Sequence, residues 1–251
     1  MGMARIIYRG EKRKRERQPR EYYVPDETRD FHTEFGIIPA RILAKGGRYE
    51  LRGQRFTILP ATFRDEYARL KRGAQIITVK DLGFLIAETT LSRESVVLEA
   101  GVGSGAATAL LARIAKKVYS YDTDERALQR ATNNLAALNV PRVYTIRKGD
   151  VYDPATIPHG EEIDLFLLDV PDPARALPTA RKALKATGWL VAYTPCITQV
   201  MSLVEHLGKE WHHVKTCELL ERDWTVKQLV VRPVTKDFQH TAFLTFLRKT
   251  P

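Results

Sequence analysis

The chain has 251 residues, 44% hydrophobic and 28% charged, the make-up of a globular protein with one large domain or a large and a small one. No apolar run nears the roughly 20 residues of a membrane span. The basic N-terminus has no apolar segment behind it to make a secretory signal, and two cysteines, Cys196 and Cys217, are too few for a metal cluster and read as reduced thiols. A net charge of +10 and a pI of 9.6 point to a polyanionic partner, because phosphate neutralisation supplies affinity independent of sequence.

Residues 1–20, ending in RGEKRKRERQPR (Arg9 to Arg20), read as a basic flexible arm. From 21 to 70, YYVPDE, RYELRG and QRFTILPAT read as short strands broken by Pro and Gly, with turns at Gly46-Gly47 and Arg52-Gly53; this predicts a small N-terminal β domain. Over 71–251 strand and helix patterns alternate. Asp81 to Thr90 is a predicted helix, SVVLEA a strand, Ser104 to Ala115 a helix, KVYSYD a strand and Glu125 to Leu138 a helix. RVYTIRKGD and IDLFLLDV are strands, Pro173 to Ala186 a helix, GWLVAYTP a strand and Thr198 to Lys209 a helix. Such alternation implies an α/β fold with a mostly parallel sheet covered on both faces. The last two β segments, WTVKQLVVRPV and HTAFLTFLRK, have no full helix between them and are expected to pair as an antiparallel hairpin on the sheet edge.

The stretch VVLEAGVGSGAAT carries glycines at 101, 103 and 105 directly after the first strand of this alternation. Glycine there permits a sharp turn and lets a ligand approach backbone with no Cβ in the way. A dinucleotide uses G-x-G-x-x-G/A, met by Gly101, Gly103 and Ala106. S-adenosylmethionine sits over acidic-x-G-x-G-x-G, met by Glu99 followed by Gly101, Val102, Gly103, Ser104 and Gly105. The flanks favour the second: Glu99 suits an ammonium group and not a pyrophosphate. Asp122 ends the second strand and can accept both ribose hydroxyls, Asp150 ends the third and can accept from an adenine amine, and Asp169 ends the fourth. Four carboxylates at successive strand ends line the crevice where open α/β sheets bind ligands, and a cationic sulfonium tolerates that rim.

Asp169 opens LLDVPDP, whose prolines stiffen the loop and hold the carboxylate near the expected position of a transferable methyl group. The acidic or amide residue, two prolines and aromatic common in exocyclic-amine methyltransferases are not matched, which disfavours that chemistry. Cys196 in AYTPC lacks the setting of a pyrimidine-methylating nucleophile and reads as a small packed residue. The aromatics Tyr22, Tyr23, Phe31 and Phe35 read as core of the small domain, and His32 as a structural histidine.

From Asp30 to Lys249 the chain resembles the tRNA (adenine-N1)-methyltransferases of archaea and bacteria that act on the T-loop. The matching segments include RDFHTEFGIIP, LKRGAQIITVKD, VLEAGVGSGAAT, YSYDTDE, LLDVPDP, VAYTPCITQV and RPVTKDFQHTAFLTF. The resemblance implies a class I S-adenosylmethionine-dependent methyltransferase domain of Rossmann-like fold behind a small N-terminal β domain. It implies a cytoplasmic homotetramer without metal or membrane association that methylates N1 of adenosine 58, and in some archaea 57, in tRNA. It assigns the turn from Gly101 to Gly105, Asp122 and Asp150 to the cofactor and Asp169 to the methyl-transfer site. One departure stands at Thr78, where the family has an aromatic or histidine expected to contact the flipped base; threonine cannot stack, and stacking is worth roughly 1–3 kcal/mol. Another is Asp172, where the family often has glutamine. A different RNA target base, or a non-catalytic tRNA-binding role, are the alternatives.

Overall fold

The computed structural model describes residues 3–10, 21–73, 75–156, 163–227, 229–234 and 240–251. The chain divides into two units, Met1–Leu70 and Lys71–Pro251. In the first, β1 (Arg5–Arg9), β2 (Glu21–Val24), β5 (Gly47–Leu51) and β6 (Gln54–Pro60) form an antiparallel sheet in the order β2-β1-β6-β5. A small hairpin of β3 (Phe31–Thr33) and β4 (Gly36–Ile38), α1 (Ala40–Lys45) and α2 (Phe63–Tyr67) complete the unit. Ile7, Val24, Ile38, Leu43, Phe56 and Ile58 make its core, with Tyr22, Phe31 and Phe35 packed against it.

β1 corrects the expectation of an arm over 1–20. The segment RIIYR buries Ile6 and Ile7 and takes a central position in the sheet. Its flanking arginines are buried against partners rather than solvated. Arg5 pairs with Glu27 at 2.5 Å and donates to the Ala44 carbonyl at 2.8 Å, and Arg9 lies over the Phe35 ring at 5.1 Å. The rest of the expected arm, residues 11–20, lies outside the described residues.

The second unit contains α3 (Val79–Glu88), β7 (Val96–Ala100), α4 (Ala106–Leu111), β8 (Lys117–Asp122), α5 (Glu125–Ala137), β9 (Tyr144–Lys148) and β10 (Ile163–Leu168). A 3-10 turn (Pro173–Ala176) leads into α6 (Leu177–Ala183), followed by β11 (Leu184–Thr194), α7 (Ile197–Glu205), β12 (Trp211–Cys217), β13 (Trp224–Lys227), β14 (Val230–Pro233) and β15 (Phe243–Lys249). Seven strands form one sheet in the order β9-β8-β7-β10-β11-β15-β12, with β15 antiparallel to both neighbours. Helix α5 shows why these segments fold as they do. Asp124 caps it by accepting from the Arg126 amide, and Ala127, Ala131, Asn134 and Leu135 bury one face at helical spacing. β10 is buried along nearly its whole length, as a central strand with helices on both faces must be.

The C-terminal part differs from the expected edge hairpin. WTVKQLVVRPV pairs with itself as β13 and β14, a separate two-stranded sheet, while β15 inserts between β11 and β12. The edge strand is β12, whose residues His212, His213 and Val214 are exposed. Its polar alternation suits an edge and hides it from a search for apolar runs.

Candidate active site

The order of the strands reverses between β7 and β10, which are hydrogen-bonded neighbours in parallel register, Leu168 opposite Ala100. Ligands in open α/β sheets bind at such a reversal, outside the carboxyl ends of the strands. The glycine turn leaves β7 at that point and Asp169 leaves β10 beside it. The Asp169 amide donates to the Ala100 carbonyl at 2.9 Å, and the Gly101 and Val102 amides both donate to the Tyr121 carbonyl at 2.9 and 3.2 Å.

The three glycines meet three different demands. Gly101 has φ +90°, and a Cβ there would overlap the Asp169 carbonyl oxygen and stand 2.9 Å from its carbonyl carbon. Gly105 has φ +78°, and a Cβ would press on Ala131 of α5 at 3.1 Å. Only Gly103, at φ +52°, has open space where its side chain would be. Close approach by a ligand therefore needs Gly103; Gly101 lets the turn meet the Asp169 backbone, and Gly105 lets α4 pack on α5. Val102 and Ser104 are buried within the turn; among the described residues the Ser104 hydroxyl has no hydrogen-bond partner, and the Ser104 carbonyl accepts from Asn134 Nδ2 at 2.8 Å.

The expected acidic rim is partly a floor. Asp122 is half-buried at the end of β8, with Oδ2 accepting from the Gly103 amide and Oδ1 from the Asp124 amide, both at 3.0 Å. Four lone-pair directions leave it capacity for a ribose. Asp150 is exposed after β9 and accepts from the Tyr152 amide at 2.9 Å. Glu99, by contrast, is 1% exposed. Its Oε2 accepts from the Thr108 hydroxyl at 2.6 Å and the Ser120 hydroxyl at 2.7 Å, so it ties α4 and β8 together under the turn instead of facing the crevice. Glu99 points into the sheet because it shares the buried face of β7 with neighbours on β8.

Burial raises the Glu99 carboxyl to about 7, against the lowering pull of its hydroxyl donors. Burial also raises Asp169 to about 7, with the charges of Glu99 and Asp122 adding to it. Three carboxyls crowded around one turn favour a positively charged ligand and oppose a pyrophosphate. The open backbone at Gly103, the carboxylates of Asp122 and Asp150, and this acidic field fit S-adenosylmethionine.

The Asp169 loop is fixed from several sides. Gln199 Nε2 donates to the Pro171 carbonyl at 2.7 Å, and the Asp172 amide donates to the Tyr152 hydroxyl at 3.0 Å. Cys196 is exposed rather than packed; it caps α7. Thr78 is the N-cap of α3, its Oγ1 donating to Asp81 at 2.8 Å. That explains threonine locally, since a ring at this position could not cap the helix.

Sequence reasoning missed three residues. Asn134, on the apolar face of α5, bonds both Ser104 and the Lys71 backbone. Tyr193, next to last in β11 beside β10, donates its hydroxyl to Asp81 at 3.1 Å; burial raises its pKa, with Asp81 and Asp169 among the further causes. Asp81 itself is completely buried. For Asp81 and Asn134 the local sign is a polar residue inside an apolar helical face; Tyr193 lies in a strand and carries no such sign. Among the described residues no cluster of His, Cys, Asp and Glu could hold a metal, and no helix is long and apolar enough to cross a membrane.

The tRNA (adenine(57)-N(1)/adenine(58)-N(1))-methyltransferase TrmI of Methanocaldococcus jannaschii is 30% identical, over 92% of this chain and 92% of its own. The tRNA (adenine(58)-N(1))-methyltransferase TrmI of Thermus thermophilus is 33% identical, over 94% and 95%. A SAM-dependent O-methyltransferase from Thermotoga maritima superposes with a TM-score of 0.84 at 26% identity, covering 100% of this chain and 94% of that one. A tRNA (m1A58) methyltransferase TrmI from Aquifex aeolicus has a TM-score of 0.83 at 23% identity, covering 100% and 98%. The fold is therefore the Rossmann-like fold of class I SAM-dependent methyltransferases. The model of the tRNA methyltransferase complex GCD14 subunit matches residues 66–240, a span that holds the glycine turn, all four strand-end carboxylates and Tyr193, and the chain belongs to that family.

Proposed function

We propose that this chain transfers the methyl group of S-adenosylmethionine to N1 of adenosine 58, with adenosine 57 a possible second target, in the T-loop of tRNA. The observation that carries the proposal is Asp169, held against the glycine turn at the strand-order reversal by the Ala100 carbonyl. The chain's relatives of that activity cover nearly its full length, and its net charge of +10 suits a polyanionic substrate.

The target nitrogen lies on the Watson–Crick edge, so the base must leave its stack to reach the pocket. Gly103 backbone, Ser104, Asp122 and Asp150 hold the cofactor along the strand ends, and Glu99 adds negative potential from beneath the turn. When bound, S-adenosylmethionine would supply an electrophilic methyl on a sulfonium, which the N1 lone pair would take while the sulfur keeps the bonding electrons, so that adenine would become cationic and the donor a neutral thioether. Asp169, ionised once a cation stands among the three carboxyls, accepts from the exocyclic amine and orients the ring. Its charge then offsets the one that develops on adenine. We assign the aromatic wall of the acceptor site to Tyr193, which leaves β11 level with Asp169, in place of the ring that Thr78 lacks. Positioning supplies most of the rate, because the methyl donor is already activated.

We further place the enzyme in the cytoplasm as a homotetramer. The β13–β14 hairpin supports self-association: Trp224, Val226, Val231 and Pro233 share one face by register, and Val226 is 74% exposed. Mass photometry tests this.

The activity test is transfer of labelled methyl to an unmodified tRNA transcript, followed by nuclease digestion and mass spectrometry of the nucleosides. 1-Methyladenosine mapping to the T-loop is the expected product. A different methylated nucleoside overturns the target base, and cofactor binding without transfer makes the chain a non-catalytic tRNA-binding member.

A further inference from the structure

Asp81 is a carboxylate with no exposed surface, placed in the first turn of α3. A buried charge is costly unless paired and fully hydrogen-bonded. This one is surrounded. Oδ1 accepts from Lys80 Nζ at 2.7 Å, and Oδ2 accepts from the Thr78 hydroxyl at 2.8 Å and the Tyr193 hydroxyl at 3.1 Å. Lys80 Nζ also donates to the Thr241 hydroxyl at 2.9 Å. One carboxylate thus joins the start of α3, the end of β11 and the approach to β15.

Helix capping does not account for it. Thr78 Oγ1 already accepts the Asp81 amide, so the cap is complete without the carboxylate. The group that does need Asp81 is Tyr193. Its neighbour Ala192 lies opposite Leu168, the residue before Asp169, so the tyrosine leaves β11 level with the catalytic candidate on β10. The two are close enough for the Asp169 charge to act on the phenol. A tyrosine ring has two rotatable torsions, and a charge-assisted bond at its hydroxyl fixes both.

We propose that Asp81 is a positioning residue for methyl transfer: by binding the Tyr193 hydroxyl, with Lys80 and Thr78 completing its shell, it holds the tyrosine ring as a fixed wall of the acceptor pocket beside Asp169. This rests on the methyltransferase function proposed above. Asp81 contacts neither cofactor nor base. Its effect reaches the reaction through the ring, and a misplacement of about 1 Å at such a wall costs up to about 100-fold in rate.

Two measurements test it. The first does not need activity. The ¹³Cζ resonance of Tyr193, assigned by its loss in Tyr193→Phe, reports the hydroxyl's partner. In Asp81→Asn, whose amide oxygen cannot serve Lys80, Thr78 and Tyr193 together, the resonance is expected to shift and broaden. An unchanged resonance overturns the proposal whether or not the enzyme methylates tRNA. The second is a double-mutant cycle on methyl transfer with Asp81→Asn and Tyr193→Phe. Asp81→Asn should lower kcat about 10-fold or more, leave the KM for S-adenosylmethionine and the melting temperature near those of the parent, and add nothing in the Tyr193→Phe background. Additive losses, or a fall in melting temperature that accounts for the lost rate, overturn it. Absence of transfer by the parent chain refutes the methyltransferase function and the rate effect drawn from it, while the resonance still decides whether Asp81 holds Tyr193.

Discussion

Replacing Glu99 by glutamine removes a charge that the folded chain resists. The carboxyl stands near its ordinary 4.5 when unfolded and is raised to about 7 by burial in the folded chain. At 1.36 kcal/mol for each pH unit, this corresponds to about 3 kcal/mol. The sign follows from where the proton sits. Between pH 4.5 and about 7 the folded chain keeps a proton that the unfolded chain has lost, so the stability from this group is full below pH 4.5 and gone above about 7. Glutamine has no such loss. Its shape is that of the protonated acid, and the hydroxyls of Thr108 and Ser120, 3.1 Å apart with either able to donate, can turn to satisfy its amide. Cofactor-free Glu99→Gln should therefore gain about 3 kcal/mol over the parent at pH 8 and under about 1 kcal/mol at pH 5 in urea unfolding. An equal difference at the two pH values, or a parent that is the more stable at pH 8, refutes the argument that burial dominates this carboxyl.

Binding of a cationic cofactor should expel protons from Glu99 and Asp169, both raised to about 7. Affinity for S-adenosylmethionine should then rise with pH between about 6 and 8, and calorimetric heats at pH 7 should depend on the buffer's ionisation enthalpy; heats independent of buffer contradict this. Gly101→Ala places a methyl group into the Asp169 carbonyl at a backbone φ of +90°, so methyl transfer should fall about 100-fold, with a rate within threefold of the parent as the contrary outcome. Asp169→Ala should abolish transfer while tRNA binding by gel shift persists; normal turnover would remove Asp169 from the mechanism. His240 faces acceptors at both ring nitrogens, Glu218 Oε2 at 2.7 Å and the Pro195 carbonyl at 2.9 Å, and these bonds raise its pKa above the usual 6.5. Its imidazolium should persist in an NMR titration past pH 6.5 and lose part of that excess in Glu218→Gln, the Pro195 carbonyl keeping the rest.

The alternation of strands and helices was legible because β10 and α5 carry patterns that serve one structure only: a run of buried apolar residues, and an apolar face at helical spacing behind an aspartate cap. Of the acidic residues, Asp122, Asp150 and Asp169 stand at their strand ends as the sequence places them, while Glu99 lies buried beneath the turn. What escaped was set by tertiary partners. β1 reads as part of a basic tail until Glu27 and the Phe35 ring are beside its arginines. β12 reads as polar linker until β15 lies next to it. Tyr193 lies 112 residues from Asp81, and Asn134 lies 63 and 30 residues from Lys71 and Ser104, and no local spacing marks those contacts. The glycines were legible as a turn, but their separate tasks were not, because the atoms that Gly101 and Gly105 make room for belong to Asp169 and Ala131.

The choice between a dinucleotide and S-adenosylmethionine, which the glycine spacing alone leaves open, turns on how the acidic groups are held. Asp122 has two backbone amides on its oxygens, one of them from Gly103 in the turn itself. Its carboxyl group thus stands at the place where a pyrophosphate would have to approach the Gly103 backbone. In a dinucleotide site the free amides of the turn are themselves the phosphate ligands. Here the amides of Gly101, Val102, Gly103 and Gly105 donate to Tyr121, Asp122 and Val102. The turn has thus given its donors to the protein and presents carboxylates instead. A site arranged in this way repels phosphate twice, through occupied donors and through charge, and attracts a sulfonium and an ammonium for the second of those reasons.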